Sequence, residues 1–349
     1  MFLIDCHNRC PDCLHLDFRI CPEVESGNDN ILGLFITWKT GEQKQDILDG
    51  TGKFRIRNCQ LLIEGDNLKF FPLYRQTVQG KKGAYCLLQL ENNPQFEGKI
   101  GLLEIQNKPW RFTAKVVTEK SEILFTEIDG FWKHDISPNK HAILERLLAE
   151  FLFETGLKPY VCCFIFASDG GLTDRKIARG EVEELERKKE ELKNIIQRVV
   201  CRRDDNFKNL AEIAKLNPAR DFRGGNLIGV NLSGLNLSGG DFQYANLRGA
   251  DLTDTDLSEA NLQYAKLNGA DLSGAYLEGA NLSNANLTNA SLALANLIGA
   301  NLSNANLTNT NLQNTTLAQA IVKGAIFANN PGLTPEKKEE LMAGGAIFV

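Results

Sequence analysis

Leucines at 282, 287, 292, 297, 302, 307 and 312 recur every fifth residue through a stretch, 280–312, that holds no charged side chain. A period of five fits neither the 3.6 of an amphipathic helix nor the 2.0 of a two-sided strand. A short fixed period of this kind predicts a solenoid, in which each unit buries its apolar side chain against its neighbours. Followed outward, the register gives 22 consecutive five-residue units over 220–329 with no insertion. The centre of each unit is Leu except at Phe222, Phe242, Val322 and Phe327. Two residues before the centre, 14 of the 22 positions are Ala, and one residue before it 16 are Asn or Asp.

Two positions in five are thus apolar and limited in size, and three are polar and varied. A square coil with four units per turn satisfies this pattern. Leu or Phe stacks along the centre of the tube, and Ala is small because it also points inward where the backbone walls approach. Residues 20 apart then lie on adjacent coils, about one strand spacing (~4.8 Å) apart. Asn, Gly and Ser suit the corners, since Gly and Asn accept positive φ and Asn bonds nearby backbone. Asn repeated every 20 residues can also form ladders up the faces.

Units such as ANLSN (280–284) and ADLSG (270–274) resemble the pentapeptide-repeat family. The match covers 110 of 349 residues. The resemblance implies a right-handed quadrilateral β-helix and a non-enzymatic binding role. Some members of that family imitate DNA to topoisomerases, and others regulate cell differentiation in filamentous cyanobacteria.

Elsewhere the pattern changes. Apolar runs at 31–38, 54–63, 68–74, 84–90, 99–105, 110–117 and 122–128, rich in β-branched and aromatic residues and broken by turn signals, predict a mainly antiparallel sheet or barrel. A helix over 139–156 and a strand over 160–167 follow, so residues 1–179 form an α+β domain of unrecognised family. On that strand Cys162 and Cys163 read as buried hydrophobes. Residues 180–219 form a helical linker and N-terminal cap. Its helix over 180–200 has Glu at its start and Arg at its end, matching the helix dipole. Val182, Leu185, Leu192, Ile196 and Val199 make an imperfect heptad that either packs on the N-terminal domain or joins a homodimer. A helix at 206–216 then precedes the repeats, with one apolar stripe of Phe207, Leu210, Ala211 and Ala214. After them, residues 330–349 give a capping helix, with Thr334 as N-cap, Pro335 at its first position and Gly344 at its end, and an apolar tail.

Composition limits the function classes. The net charge of −5 offers no global field for nucleic acid or an anionic membrane. No apolar run is long enough to span a bilayer, and MFLIDCHNRC lacks a secretory pattern, so the expectation is a cytoplasmic protein with reduced thiols. Cys6, Cys10, Cys13 and Cys21 crowd 16 residues, a density that suits a tetrahedral Zn²⁺, although free thiols explain it equally. Cys6-x3-Cys10-x2-Cys13 also has the spacing of radical-SAM clusters, but strand after strand at 31–128 does not match their alternating α/β barrel. Four His residues, and no GxSxG, P-loop or GxGxxG, leave little for catalysis. Asp251 and Asp271, one coil apart, read as two solvated carboxylates.

The outward positions carry the remaining signal. Acidic side chains crowd the second and third coils. Tyr244 and Tyr264 lie one coil apart at one corner and should stack. Leu294 and Ile298 sit outward, where a lone solenoid gains nothing from them. Tyr244, Tyr264, Asp251, Asp254, Asp271, Leu294 and Ile298 are therefore the candidate contact residues for a protein partner. A DNA-mimicking topoisomerase antagonist is the alternative, and a metal- or redox-dependent N-terminal domain targeted by the solenoid is a third.

Overall fold

The computed structural model describes residues 2–9, 14–22, 30–48, 50–66, 68–72, 77–80, 83–89, 95–108, 111–131, 136–158, 161–167 and 179–349. The chain divides into two compact units, Met1–Phe131 with Ala149–Glu190, and Trp132–Leu148 with Glu191–Val349.

The first unit is built from antiparallel strands. In chain order these are β1 (Phe2–Asn8), β2 (Leu14–Pro22), β3 (Ile31–Thr40), β4 (Gln43–Ile47), β5 (Gly50–Ile56), β6 (Asn58–Asp66), β7 (Leu68–Pro72), β8 (Thr77–Gly80), β9 (Gly83–Gln89), β10 (Gln95–Ile105), β11 (Arg111–Val117) and β12 (Ile123–Asp129). Helix α1 (Pro138–Leu152) and strand β13 (Cys162–Ala167) follow. One sheet runs β1-β13-β11-β6-β9-β8, a second β2-β3-β10-β7 and a third β12-β5-β4. Alternation sets the core: Leu34 and Ile36 on β3 and Phe112, Ala114 and Val116 on β11 are fully buried. The run expected over 54–63 is two strands, β5 and β6, that separate at Arg57, whose N–H donates to Glu122 O (2.9 Å). Cys163 is buried as expected, and the side chain of Cys162 lies outside the described ones.

The second unit contains α2 from Glu191 onward (the whole helix is Arg179–Val200), α3 (Phe207–Ala214) and the solenoid. The first part of α1 belongs here, although the sequence had placed the helix wholly with the strands. Asn139 donates to Asp205 O (2.7 Å), and Lys140 Nζ donates to the carbonyls of Val200 (3.0 Å) and Arg202 (2.7 Å) at the end of α2. Those carbonyls have no helical partner, and a lysine answers both their hydrogen bonding and the helix dipole. Leu192, Ile195, Ile196 and Val199 of α2 are buried within the chain, so they are not a free seam. In α3, Asn206 caps by accepting from Asn209 N (3.1 Å), and Phe207 lies 5.1 Å from the ring of Phe222.

Coils succeed one another every 20 residues. Parallel bridges link Asn226 to Asn246, Asp251 to Asp271, Tyr276 to Asn296, and so on to Asn301 and Ile321. The expected interior holds: central residues from Leu252 through Leu307 are at most 1 % exposed. Where the centre is Phe242, residue 240 is Gly, because a Cβ there would meet the Phe242 ring at 2.7 Å. Where the inward position is Thr, its hydroxyl is satisfied: Thr255 and Thr310 donate to Leu232 O (3.0 Å) and Leu287 O (2.9 Å) of the preceding coil.

The last coils form a parallel sheet of β14 (Asn306–Thr308), β15 (Ile326–Ala328) and β16 (Ile347–Phe348), reached through α4 (Pro335–Ala343). Phe348 stacks on Phe327 at 5.2 Å. No helix among the described residues is long and apolar enough to cross a membrane.

Candidate functional site

Each five-residue unit makes one side of the coil and one corner. The residue before the centre carries the bridge to the next coil, and the two after it turn the corner. Asn or Asp at the bridging position closes its own turn: Asn231, Asp251, Asp271, Asn281 and Asn306 each accept from the N–H two residues on, at 3.0–3.2 Å. The second corner residue has positive φ in every unit, from Gly224 to Asn329. Ten of these 22 corners are Gly and six are Asn, the residues for which that conformation is least strained. Side-chain ladders do form, at Asn289, Asn309 and Asn329 (3.0 and 3.3 Å) and between Gln243 and Gln263 (3.3 Å).

The remaining corners hold Tyr244, Tyr264, Leu294, Asp254, Glu259 and Gln319. The two tyrosines stack as expected, with ring centroids 5.0 Å apart and planes at 10°. Leu294 combines φ +62° with 67 % exposure. An L-residue there costs roughly 1 kcal/mol or more, which an unburied side chain does not offset.

A 20-residue coil also fixes which candidates can act together. Number the sides from the one centred on Phe222, Phe242 and Leu262. Tyr244 and Tyr264 follow the first side, and Leu294 and Asp254 follow the third, so the tyrosine platform and Leu294 occupy diagonally opposite corners. Asp251 and Asp271 lie on the third side next to Leu294, and Ile298, half-buried, turns the corner after the fourth. The seven candidates are therefore two surfaces. Sequence reasoning missed Tyr276, which stands on the fourth side at 55 % exposure between Asp256 and Asn296. Its signal was available, since Tyr is the one aromatic residue at a bridging position that is Asn or Asp in 16 of the 22 units.

One buried titratable cluster lies where α1 meets the first coil. Asn139 Oδ1 accepts from Asn231 N (2.8 Å), replacing the carbonyl that a preceding coil would supply. Glu145, 7 % exposed, accepts from Asn226 Nδ2 (3.2 Å). Burial pushes its carboxyl up to about 7. His141 Nδ1 is 3.7 Å away, too far for a hydrogen bond, and its own burial holds the imidazole below its ordinary value. At neutral pH it is not a cationic partner, and the cluster fastens a helix.

Of the candidate metal ligands, Cys10 and Cys13 and the side chains of Cys6 and Cys21 lie outside the described residues. Cys6 is on β1 and Cys21 on β2, in different sheets. Seven extended residues put the Cys21 backbone about 23 Å along β2 from Leu14.

Among known proteins, a family model described as pentapeptide repeats matches in 8 copies at residues 221–254, 255–293 and 290–329. A pentapeptide repeat protein from the thylakoid lumen of Arabidopsis thaliana is 37% identical over 33% of this chain and 80% of its own, with a TM-score of 0.31. One from the cyanobacterium Cyanothece 51142 is 41% identical over 29% of this chain and 63% of its own, at TM-score 0.22. HetL from Nostoc sp. strain PCC 7120, described as involved in heterocyst differentiation regulation, is 33% identical over 33% and 56%, at TM-score 0.24. This chain thus spans less than two thirds of the latter two. No curated protein matches it.

Proposed function

The chain belongs to the pentapeptide-repeat family, and on that premise we propose that it is a non-enzymatic protein-binding module whose solenoid presents a rigid, side-specific surface to a protein partner. The observation that carries this reading is the pair of large exposed side chains, Tyr264 and Leu294, with the half-buried Tyr244 stacked against Tyr264, at corners where Gly or Asn folds at lower cost. A rod selected for stability alone has no use for them. The coil is taken as right-handed. α3 with the start of α1, and α4 with β16, act as caps over ends that would otherwise pair with other chains.

The alternative is a DNA-mimicking topoisomerase antagonist. Duplex DNA carries one charge per ~1.7 Å, or about three per ~4.8 Å coil. Residues 220–329 hold eight acids and five bases over five and a half coils, a net of about one half per coil. A partner gripping a long duplex would find one matching patch and then a neutral wall.

The test is capture with the full chain against a Tyr244→Gly/Tyr264→Gly/Leu294→Gly variant. The wild type should retain a protein that the variant loses, while the variant melts at a higher temperature. Equal capture by both would remove the basis of the reading.

A further inference from the structure

Charge on the solenoid is sorted by side as well as along its length. The third and fourth sides with their corners carry Asp251, Asp254, Asp256, Glu259, Asp271 and Glu278, and not one Lys or Arg. The first and second sides carry all five basic residues, Arg220, Arg223, Arg248, Lys266 and Lys323, against Asp221 and Asp241. The balance is −6 on one half of the tube and +3 on the other, which averaging over whole coils conceals. The six carboxylates fall within two coils, about 10 Å of rise. None of them has an ion-pair partner among the described residues.

The same two sides expose apolar surface. Tyr276 bridges Asp256 below and Asn296 above, and Leu294 precedes Asn296 by two residues, so the two side chains stand on adjacent coils at one edge. They are the most exposed large hydrophobic residues between the first and last coils, at 55 % and 67 %. The Asp254 carboxylate lies against Gly274, directly below Leu294 in the corner stack. On these two sides beyond Leu294 the outward residues of the repeats are Asn, Thr, Gln, Ala, Gly and Ile298, with no charge.

We propose that these two sides, over residues 250–299, are the docking surface for a basic peptide segment with an apolar anchor that packs between Tyr276 and Leu294. The proposal rests on the protein-binding reading above and names the chemistry of the partner. A surface of −6 repels nucleic acid and anionic lipid, and steers Lys and Arg toward it. Salt bridges at exposed carboxylates are weak, so specificity comes from the anchor.

The experiment measures fluorescence anisotropy of two labelled peptides against the full chain at physiological salt. One is KRKLFKRK-amide and the other KRKAAKRK-amide, of equal charge. The first should bind at least about tenfold tighter. Tyr276→Ser/Leu294→Gly should abolish that ratio, and Leu294→Gly alone should raise the melting temperature while weakening binding. Asp256→Asn/Glu278→Gln should weaken both peptides and flatten their salt dependence. Thr308→Ala, on the second side, should change nothing. Equal binding of the two peptides, or binding by neither, overturns the proposal. Loss of binding in Tyr244→Ser/Tyr264→Ser with Tyr276→Ser/Leu294→Gly unaffected also overturns it but leaves the protein-binding reading standing. Self-association in sedimentation that Tyr276→Ser removes would make a second copy the occupant and overturn it too.

Discussion

Replacing Leu272 with Lys tests the five-residue register at its most consequential point. The side chain is fully buried, Leu252 and Leu292 lie below and above it, and its N–H donates to Ser291 O at 2.8 Å. Burying such a leucine contributes about 1.5–3 kcal/mol of transfer free energy. The walls around it are held by a bridge on each coil and a fixed left-handed corner, so they cannot close on a gap, and Leu272→Ala should cost near the top of the ~2–5 kcal/mol range. Lys adds a desolvated charge with no partner inside the tube, for a loss of about 4–5 kcal/mol at neutral pH. Ser273→Lys, one residue on, gives up only its hydroxyl contact with Ser291 (2.8 Å), about 0.5–1 kcal/mol. Denaturant unfolding of the full chain, followed by hydrogen exchange over residues 240–300, separates the solenoid from the strand-rich unit. If the two variants lose protection alike, Leu272 is not interior and the square coil is wrong.

Glu145, pushed up to about 7 from an ordinary 4.5, binds its proton more tightly folded than unfolded. Its stabilising share is complete below about pH 4.5 and is lost as pH rises through 7, by about 3 kcal/mol. His141, held low, acts in the opposite sense below 6.5. Glu145→Gln should therefore be more stable than wild type at pH 8 and flatten the slope between pH 5 and 7 in thermal melts; an unchanged slope would refute the assignment. About one equivalent of zinc, held by Cys6, Cys10, Cys13 and Cys21, should co-purify and be lost in Cys10→Ser/Cys13→Ser without disturbing the solenoid; metal analysis reads this directly, and a metal-free protein after anaerobic preparation would leave free thiols. The protein should leave DNA gyrase supercoiling unchanged at micromolar concentration. Strong inhibition that vanishes when Asp251, Asp254, Asp256, Glu259 and Asp271 are neutralised would promote the DNA-mimic alternative.

The solenoid was legible because its determinants are local and repeated: a Leu column, an Ala beside it, and Gly or Asn where φ turns positive. The tyrosine stack followed from arithmetic on 20. The same arithmetic separates Tyr244 and Tyr264 from Leu294 and gathers the carboxylates on two sides, yet nearness along the chain had grouped them as one patch. Tyr276 escaped because it occupies a bridging position, which in 16 of the 22 units is a turn-closing Asn or Asp, and not a corner. In the other unit, β1, β2, β4 and β8 were missed: β4 and β8 are short, polar and stabilised by their sheet partners, whereas β2 alternates plainly, with Leu14, Leu16 and Phe18 buried, and its Cys and His had drawn the reading toward a metal site instead. The split role of α1 was invisible for a related reason. Asn139 and Glu145 read as surface positions of an amphipathic helix until the first coil supplies Asn231 and Asn226 as their partners.

The central claim, a solenoid that binds a protein through one particular side, is tested most directly by photo-crosslinking. A benzoylphenylalanine placed in the full chain at Tyr276, at Tyr264 or at Thr308 samples three different parts of the surface. The account predicts a discrete protein adduct at 276 that excess KRKLFKRK-amide suppresses, with none at 308 on the second side, which carries no acid. No adduct at any position, or equal adducts at all three that the peptide leaves untouched, would contradict it.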